Sequence, residues 1–111
     1  VGPWKGLRFW LKGTATGAIF LLIPTSDTVP TQFGGTCAEG CDDHHGIQLV
    51  PPGPDWKLYQ VPFEVLKQLG TGRPVAFQPA KVLAIQLNVV RNASATVASF
   101  DLMLDELAFY R

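Results

Sequence analysis

Leu7-Arg8-Phe9-Trp10-Leu11-Lys12 alternates without a break, with Leu7, Phe9 and Leu11 on one side and Arg8, Trp10 and Lys12 on the other. A side-chain period of two belongs to a strand, so this stretch predicts a β-strand with one face in a core and one face available. Outward from it, apolar segments of strand length recur between turn residues, and no long stretch holds a helical period. Ala18 to Ile23 is apolar on both faces and stops at Pro24, the pattern of a central strand covered on both sides. Residues 45–50 place Ile47 and Leu49 inward and Gln48 outward before the rigid turn Pro51-Pro52-Gly53-Pro54, and a further strand follows over residues 56–63. Residues 82–89 put Leu83, Ile85, Leu87 and Val89 on one face, with Gln86 and Asn88 on the other. After a turn around residues 92–95, a last strand turns Phe100, Leu102 and Leu104 inward and Asp101, Met103 and Asp105 outward. Residues 64–69, closed by Gly70, are the one candidate for a helical turn or two. The chain reads as a single all-β domain over residues 1–111.

At 111 residues such a domain buries roughly two thirds of the surface of its unfolded chain. Lys plus Arg equal Asp plus Glu at nine each, so no net field draws the protein to nucleic acid or to an anionic membrane. A charged share of 16% against 47% hydrophobic, with 11 Gly and 9 Pro, fits a sheet-rich extracellular domain whose ligand is neutral or nearly so. No apolar run reaches the length of a membrane span. The first residue is Val1, with no basic-then-apolar leader before it, which predicts a mature product or part of a longer protein. The Asn92-Ala93-Ser94 sequon matters only in a glycosylating host.

Cys37, Cys41, Asp42, Asp43, His44 and His45 crowd together at the end of a long loop, residues 25–43, rich in Thr, Gly, Pro and Asp. Three readings compete for this segment: a disulfide-closed loop, a metal site, or a polar rim beside a ligand groove. Cys37 and Cys41 can close a small ring worth roughly 2 kcal/mol by chain entropy. With no other cysteine their pairing is forced once the compartment is oxidising. Zinc would need Cys37, Cys41, His44 and His45 together, and their spacing departs from the separated pairs of structural zinc sites. What remains of the metal reading is a lone histidine, His44 or His45, with Asp42 or Asp43, on a hard cation such as calcium or on a transition metal such as copper, with no pattern behind it. No cofactor is expected.

The outward residues are Arg8, Trp10, Lys12, Gln48, Gln86, Asn88 and Asp101, on strands taken to lie side by side. Carbohydrates need paired donors and acceptors for their hydroxyls and an aromatic plane for their C–H ring faces, which this set supplies. Any solvated sheet face also shows polar residues of this kind. Of Trp4, Trp10 and Trp56, Trp10 is the best ligand candidate because Arg8 and Lys12 flank it, whereas Trp56 follows a turn. Catalysis finds no motif. Asp101 and Asp105 share a strand face roughly 13 Å apart, too far for a glycosidase pair. Asp105 and Glu106 are expected to point opposite ways, and nothing marks a nucleophile for a His44 or His45 base.

Gly6-Leu7-Arg8-Phe9-Trp10-Leu11-Lys12-Gly13 is followed by Pro24-Thr25, Gly35-Thr36-Cys37 and Cys41-Asp42-Asp43-His44-His45-Gly46. Trp56-Lys57-Leu58-Tyr59-Gln60-Val61-Pro62-Phe63, Leu66-Lys67-Gln68, Ala84-Ile85-Gln86-Leu87 and Phe100-Asp101-Leu102-Met103-Leu104-Asp105-Glu106-Leu107-Ala108-Phe109 come next. In this order, over nearly the whole chain, they resemble the galactose-binding-like jelly-roll carbohydrate-binding modules related to family 11 and to the intermediate-associated-protein-30 group. The resemblance implies a secreted, antiparallel jelly-roll β-sandwich that binds β-1,4- or mixed-linked glucan in a concave sheet groove, without catalysis, and is often attached to a glycoside hydrolase. In this reading Trp10 stacks on the sugar, and Arg8, His44, Gln86, Asn88 and Asp101 make polar contacts.

Such domains carry further strands before the Gly6 segment, where only Val1 to Lys5 stand here. A homodimer, strand exchange or origin in a longer protein is therefore expected, and the calcium site common in the fold is not carried over. Two alternatives stand beside this reading. One is a small metal-dependent enzyme acting on polysaccharide, with His44 or His45 as ligands beside Asp43. The other is a protein-interaction domain with exposed edges.

Overall fold

The structure, a computed structural model, describes residues 4–15, 17–90 and 100–111. Its strands are β1 (Gly6–Ala15), β2 (Ala18–Ile23), β3 (His45–Leu49), β4 (Gly53–Pro62), β5 (Gln86–Val90) and β6 (Phe100–Tyr110). They form two antiparallel three-stranded sheets, ordered β4-β1-β6 and β3-β2-β5. The all-β expectation holds, and β2 is central in its sheet as its apolar composition requires. The turn around residues 92–95, the Asn92 sequon and the Phe100 side chain lie outside the described residues.

The alternation of β1 sets the layering. Leu7, Phe9 and Leu11 are wholly buried and join Ile19, Leu21 and Ile23 of β2 in one core, completed by Leu49, Tyr59, Val61, Phe63 and Leu66. Each such side chain taken from water contributes about 1.5–3 kcal/mol. Phe9 stacks on Tyr59 with ring centroids 5.3 Å apart, and the Tyr59 hydroxyl donates to the Val50 carbonyl. Because both inward rows meet in this core, the alternate residues of the two sheets form two outer faces on opposite sides of the molecule.

Three local readings are corrected. The helix over residues 64–69 is a single 3₁₀ turn, Phe63–Val65. It stops because Lys67 is drawn into a two-way backbone pair with Gly46 at 3.0 Å in each direction, which needs extended chain. The strand over residues 82–89 is shortened to Gln86–Val90. Pro24 has no N–H to continue the β2 ladder. Pairing resumes at Thr25 and Val82, one residue out of step with Leu22 opposite Gln86, so Val82 packs on the core and Leu83 turns out, 51% exposed.

The third correction is on β6, where Asp105 and Glu106 border one depression instead of pointing opposite ways. Leu104 faces inward opposite Leu11 yet is 45% exposed, because β6 is a sheet edge. An apolar slot of about 240 Å³, lined by Phe9, Leu21, Ile85, Leu87, Leu104 and Leu107, lies open between β5 and β6. β6 also carries a bulge: Arg8 pairs with Ala108 but Trp10 with Asp105, so Glu106 and Leu107 together oppose Phe9. Glu106 adopts a left-handed φ of 53° at this point.

Candidate functional site

On the outer face of the β3-β2-β5 sheet, strand register builds one row of side chains. Phe20 of β2 lies opposite Gln48 of β3 on one side and Asn88 of β5 on the other. The next row is Gly46, Leu22 and Gln86. Residues 65–69, tied to β3 through the Gly46–Lys67 pair, stand beside these rows as a wall. The result is a cleft of about 670 Å³ with an apolar floor of Phe20 and Leu22, a wall of Val65 and Leu69, and Gln48, Asn88, Lys67 and His44 at its edges. Its volume is that of a small-ligand site. Gly46 keeps it open, since a Cβ there would lie 2.5 Å from the Leu21 carbonyl oxygen and from Leu22 Cδ2.

The long loop closes one end of the cleft. Its order comes from backbone pairing: Thr28 and Val29 N–H groups donate to the Thr25 carbonyl, Cys37 to Val29, and Asp42 to Thr28. Cys37 and Cys41 form the disulfide expected from their spacing. Asp42 then takes a left-handed φ of 68° and delivers Asp43, His44 and His45 to the start of β3. Replacing both cysteines by serine is expected to remove about 2 kcal/mol of stability, read as a lower denaturant midpoint, with the same loss on reducing the native protein. An unchanged midpoint contradicts this.

Asp43 is the anchor between the two loops. Its side chain is buried and accepts backbone N–H bonds from Leu69 at 2.9 Å, Gly70 at 2.9 Å and Gly72 at 3.1 Å. Gln68 is the second staple: its amide nitrogen donates to the carbonyls of Asp43 and Arg73, and its oxygen accepts the Val75 N–H. The loops approach so closely that a Cβ on Gly72 would sit 2.3 Å from the Gly40 carbonyl oxygen.

Burial raises the Asp43 pKa, but the N–H bonds from Gly72, Leu69, Gly70 and Thr71 together outweigh it and hold the carboxyl below its ordinary 3.8. A depressed folded pKa means stability present above about 3.8 and lost as pH falls through the lower folded value. Denaturant midpoints are expected to drop in that acid window, and Asp43→Asn to lower stability at neutral pH while flattening the acid slope. An Asp43→Asn protein with the native acid profile would refute this role.

His44 Nδ1 lies 2.7 Å from Thr28 Oγ1, which also accepts the Thr25 N–H at 3.2 Å. Its Nε2 is 3.8 Å from the exposed Asp42 carboxylate. Burial lowers the His44 pKa, against the pull of Asp42 and Asp43, so the ring is neutral at neutral pH and the cleft gains no charge from it. His45 is buried, with Nε2 3.0 Å from the Val75 carbonyl oxygen and its ring edge against Phe77. Asp43, His44 and His45 are thus committed to three different sets of partners. Among the described residues, no group of three His, Cys, Asp or Glu side chains is placed to hold a metal ion.

The six residues proposed for one carbohydrate surface fall on two. His44, Gln86 and Asn88 belong to the β3-β2-β5 face. Arg8, Trp10 and Asp101 lie on the opposite outer face, because β1 pairs with β4 and β6 and never with β5. They do not line a single groove. Phe20, Leu22 and the 65–69 wall escaped sequence reasoning. The signal for Phe20 was an aromatic inside a doubly apolar strand, which reads as core until one face is found only half covered. No family model matches the chain, and neither does any curated protein or solved structure.

Proposed function

We propose that the protein is a non-catalytic polysaccharide-binding module that holds a neutral β-1,4- or mixed-linked glucan in the cleft of the β3-β2-β5 sheet. The observation that carries this reading is the row Gln48, Phe20, Asn88, which sets an amide on each side of an aromatic ring in register across three strands. A pyranose ring stacks its C–H face on Phe20, and its equatorial hydroxyls exchange hydrogen bonds with the two amides. Among the described residues the cleft is lined by no carboxylate, and Lys67 is a cation beside it. That suits an uncharged polymer and gives no acid and base for hydrolysis.

The finer fold assignment belongs to the same proposal: a secreted jelly-roll sandwich whose open side, between the edges of β5 and β6, is closed by a second copy of the chain. Support comes from the disulfide, which forms in oxidising compartments, and from Leu104 and Leu107 exposed beside the slot. Sedimentation is expected to give a concentration-dependent dimer, and a monomer at every concentration removes that part. The function is tested by affinity electrophoresis through gels containing β-1,4-glucan, mixed-linked glucan or xylan. Retardation on a β-glucan is expected, and folded protein that runs unretarded on all three overturns the reading.

A further inference from the structure

The second outer face, that of the β4-β1-β6 sheet, carries a different set of side chains in an equally definite register. Trp10 lies opposite Leu58 of β4 and Asp105 of β6, and Trp56 stands two residues before Leu58 on the same side of β4. Trp10 and Trp56 share one shallow depression with Asp105 and Glu106. Arg8 lines the adjoining depression on the other side of Trp10, again with Glu106. The Lys12 ammonium sits 4.7 Å from the Trp56 ring centroid and holds that indole in place.

Strict alternation would send Asp105 and Glu106 to opposite sides of β6. The bulge prevents it. With Glu106 at φ 53° and its N–H bonded to Asp105 Oδ1 at 2.8 Å, both acids border the same depression. A left-handed conformation at a non-glycine residue is unfavourable, and bulges of this kind re-aim side chains. Two indoles, one of them 40% exposed, are thereby ringed by two acceptors and two donors whose charges cancel. Balanced donors and acceptors around aromatic planes complement a neutral polyhydroxylated ring, and offer no net field to a charged polymer.

We propose that this Trp10–Trp56 face is a second binding site for neutral sugar rings, back to back with the cleft, so that one domain engages two glucan segments and bridges them. The proposal rests on the reading of the cleft as a glucan site. Two sites facing opposite ways cannot close on one extended chain, so bridging is the consequence of their placement.

Calorimetric titration with cellohexaose is expected to give two sites per native chain, with a tryptophan emission change. Trp10→Ala with Trp56→Ala should leave one site and abolish the emission change; Phe20→Ala with Asn88→Ala should leave one site and retain it. Long soluble mixed-linked glucan should be cross-linked, read as turbidity, by the native protein at a lower protein concentration than by either double variant, whose bridging then depends on its dimer. A Trp10→Phe, Trp56→Phe protein, which keeps the planes, should keep both sites and guards against loss through misfolding. A tryptophan double-alanine variant that titrates as the native chain overturns the second site and leaves the cleft standing. A Phe20 and Asn88 variant that titrates as the native chain overturns the cleft reading. A native chain with a single site, or a tryptophan variant that loses self-association and no sugar, also overturns the proposal.

Discussion

Phe9→Ala is expected to lower the stability of the domain by about 3–5 kcal/mol, against the roughly 5–15 kcal/mol that domains of this kind possess. Phe9 has no exposed surface, sits in the middle of the strand that centres the β4-β1-β6 sheet, and stacks on Tyr59. It also lies beneath the slot between β5 and β6, which is already open. Truncation would join a new cavity to an existing one, and the surrounding strands cannot collapse on it without leaving their ladders. Urea unfolding followed by far-ultraviolet circular dichroism measures the effect. A loss below about 1 kcal/mol would show that the two sheets do not depend on a shared core.

Phe20→Ala carries the largest functional effect. The ring lies on the outer face, partly exposed, so its removal spares the core. If it is the stacking platform at the centre of the cleft, its loss should cost about 2 kcal/mol of binding, roughly a thirty-fold weaker Kd. Asn88→Ala, which removes hydrogen bonds from one side of the same row, should weaken binding about five- to ten-fold. Both are read by calorimetry on the cleft site with the tryptophan face intact. Native-like affinity in folded Phe20→Ala protein would remove the cleft as the site.

The strands were legible wherever hydrophobic periodicity was unbroken. Residues 7–12 alternate, and burial follows that alternation through Leu7, Phe9 and Leu11. The reading failed at backbone irregularities, for one physical reason. With a period of two, a single extra residue moves every later side chain to the other face. That slip occurs between Gln86 and Val82, after Pro24 withdraws a donor, and again between Asp105 and Ala108. Neither Leu83 turning outward nor Asp105 and Glu106 sharing one depression can be read from local pattern.

The amino-acid sequence by itself determined the all-β class, the inward row of β1, and the Cys37–Cys41 pairing. Each of these follows from short-range alternation or from having only two cysteines. Which strands are neighbours was decided by the tertiary structure alone, because backbone hydrogen bonds are the same for any partner and carry no address in the local sequence. That choice put Phe20 between Gln48 and Asn88, and placed Arg8, Trp10 and Asp101 on the far side from Gln86. The opening strand supplied one outer face and not the cleft, since β1 and β2 share the core with their backs to one another.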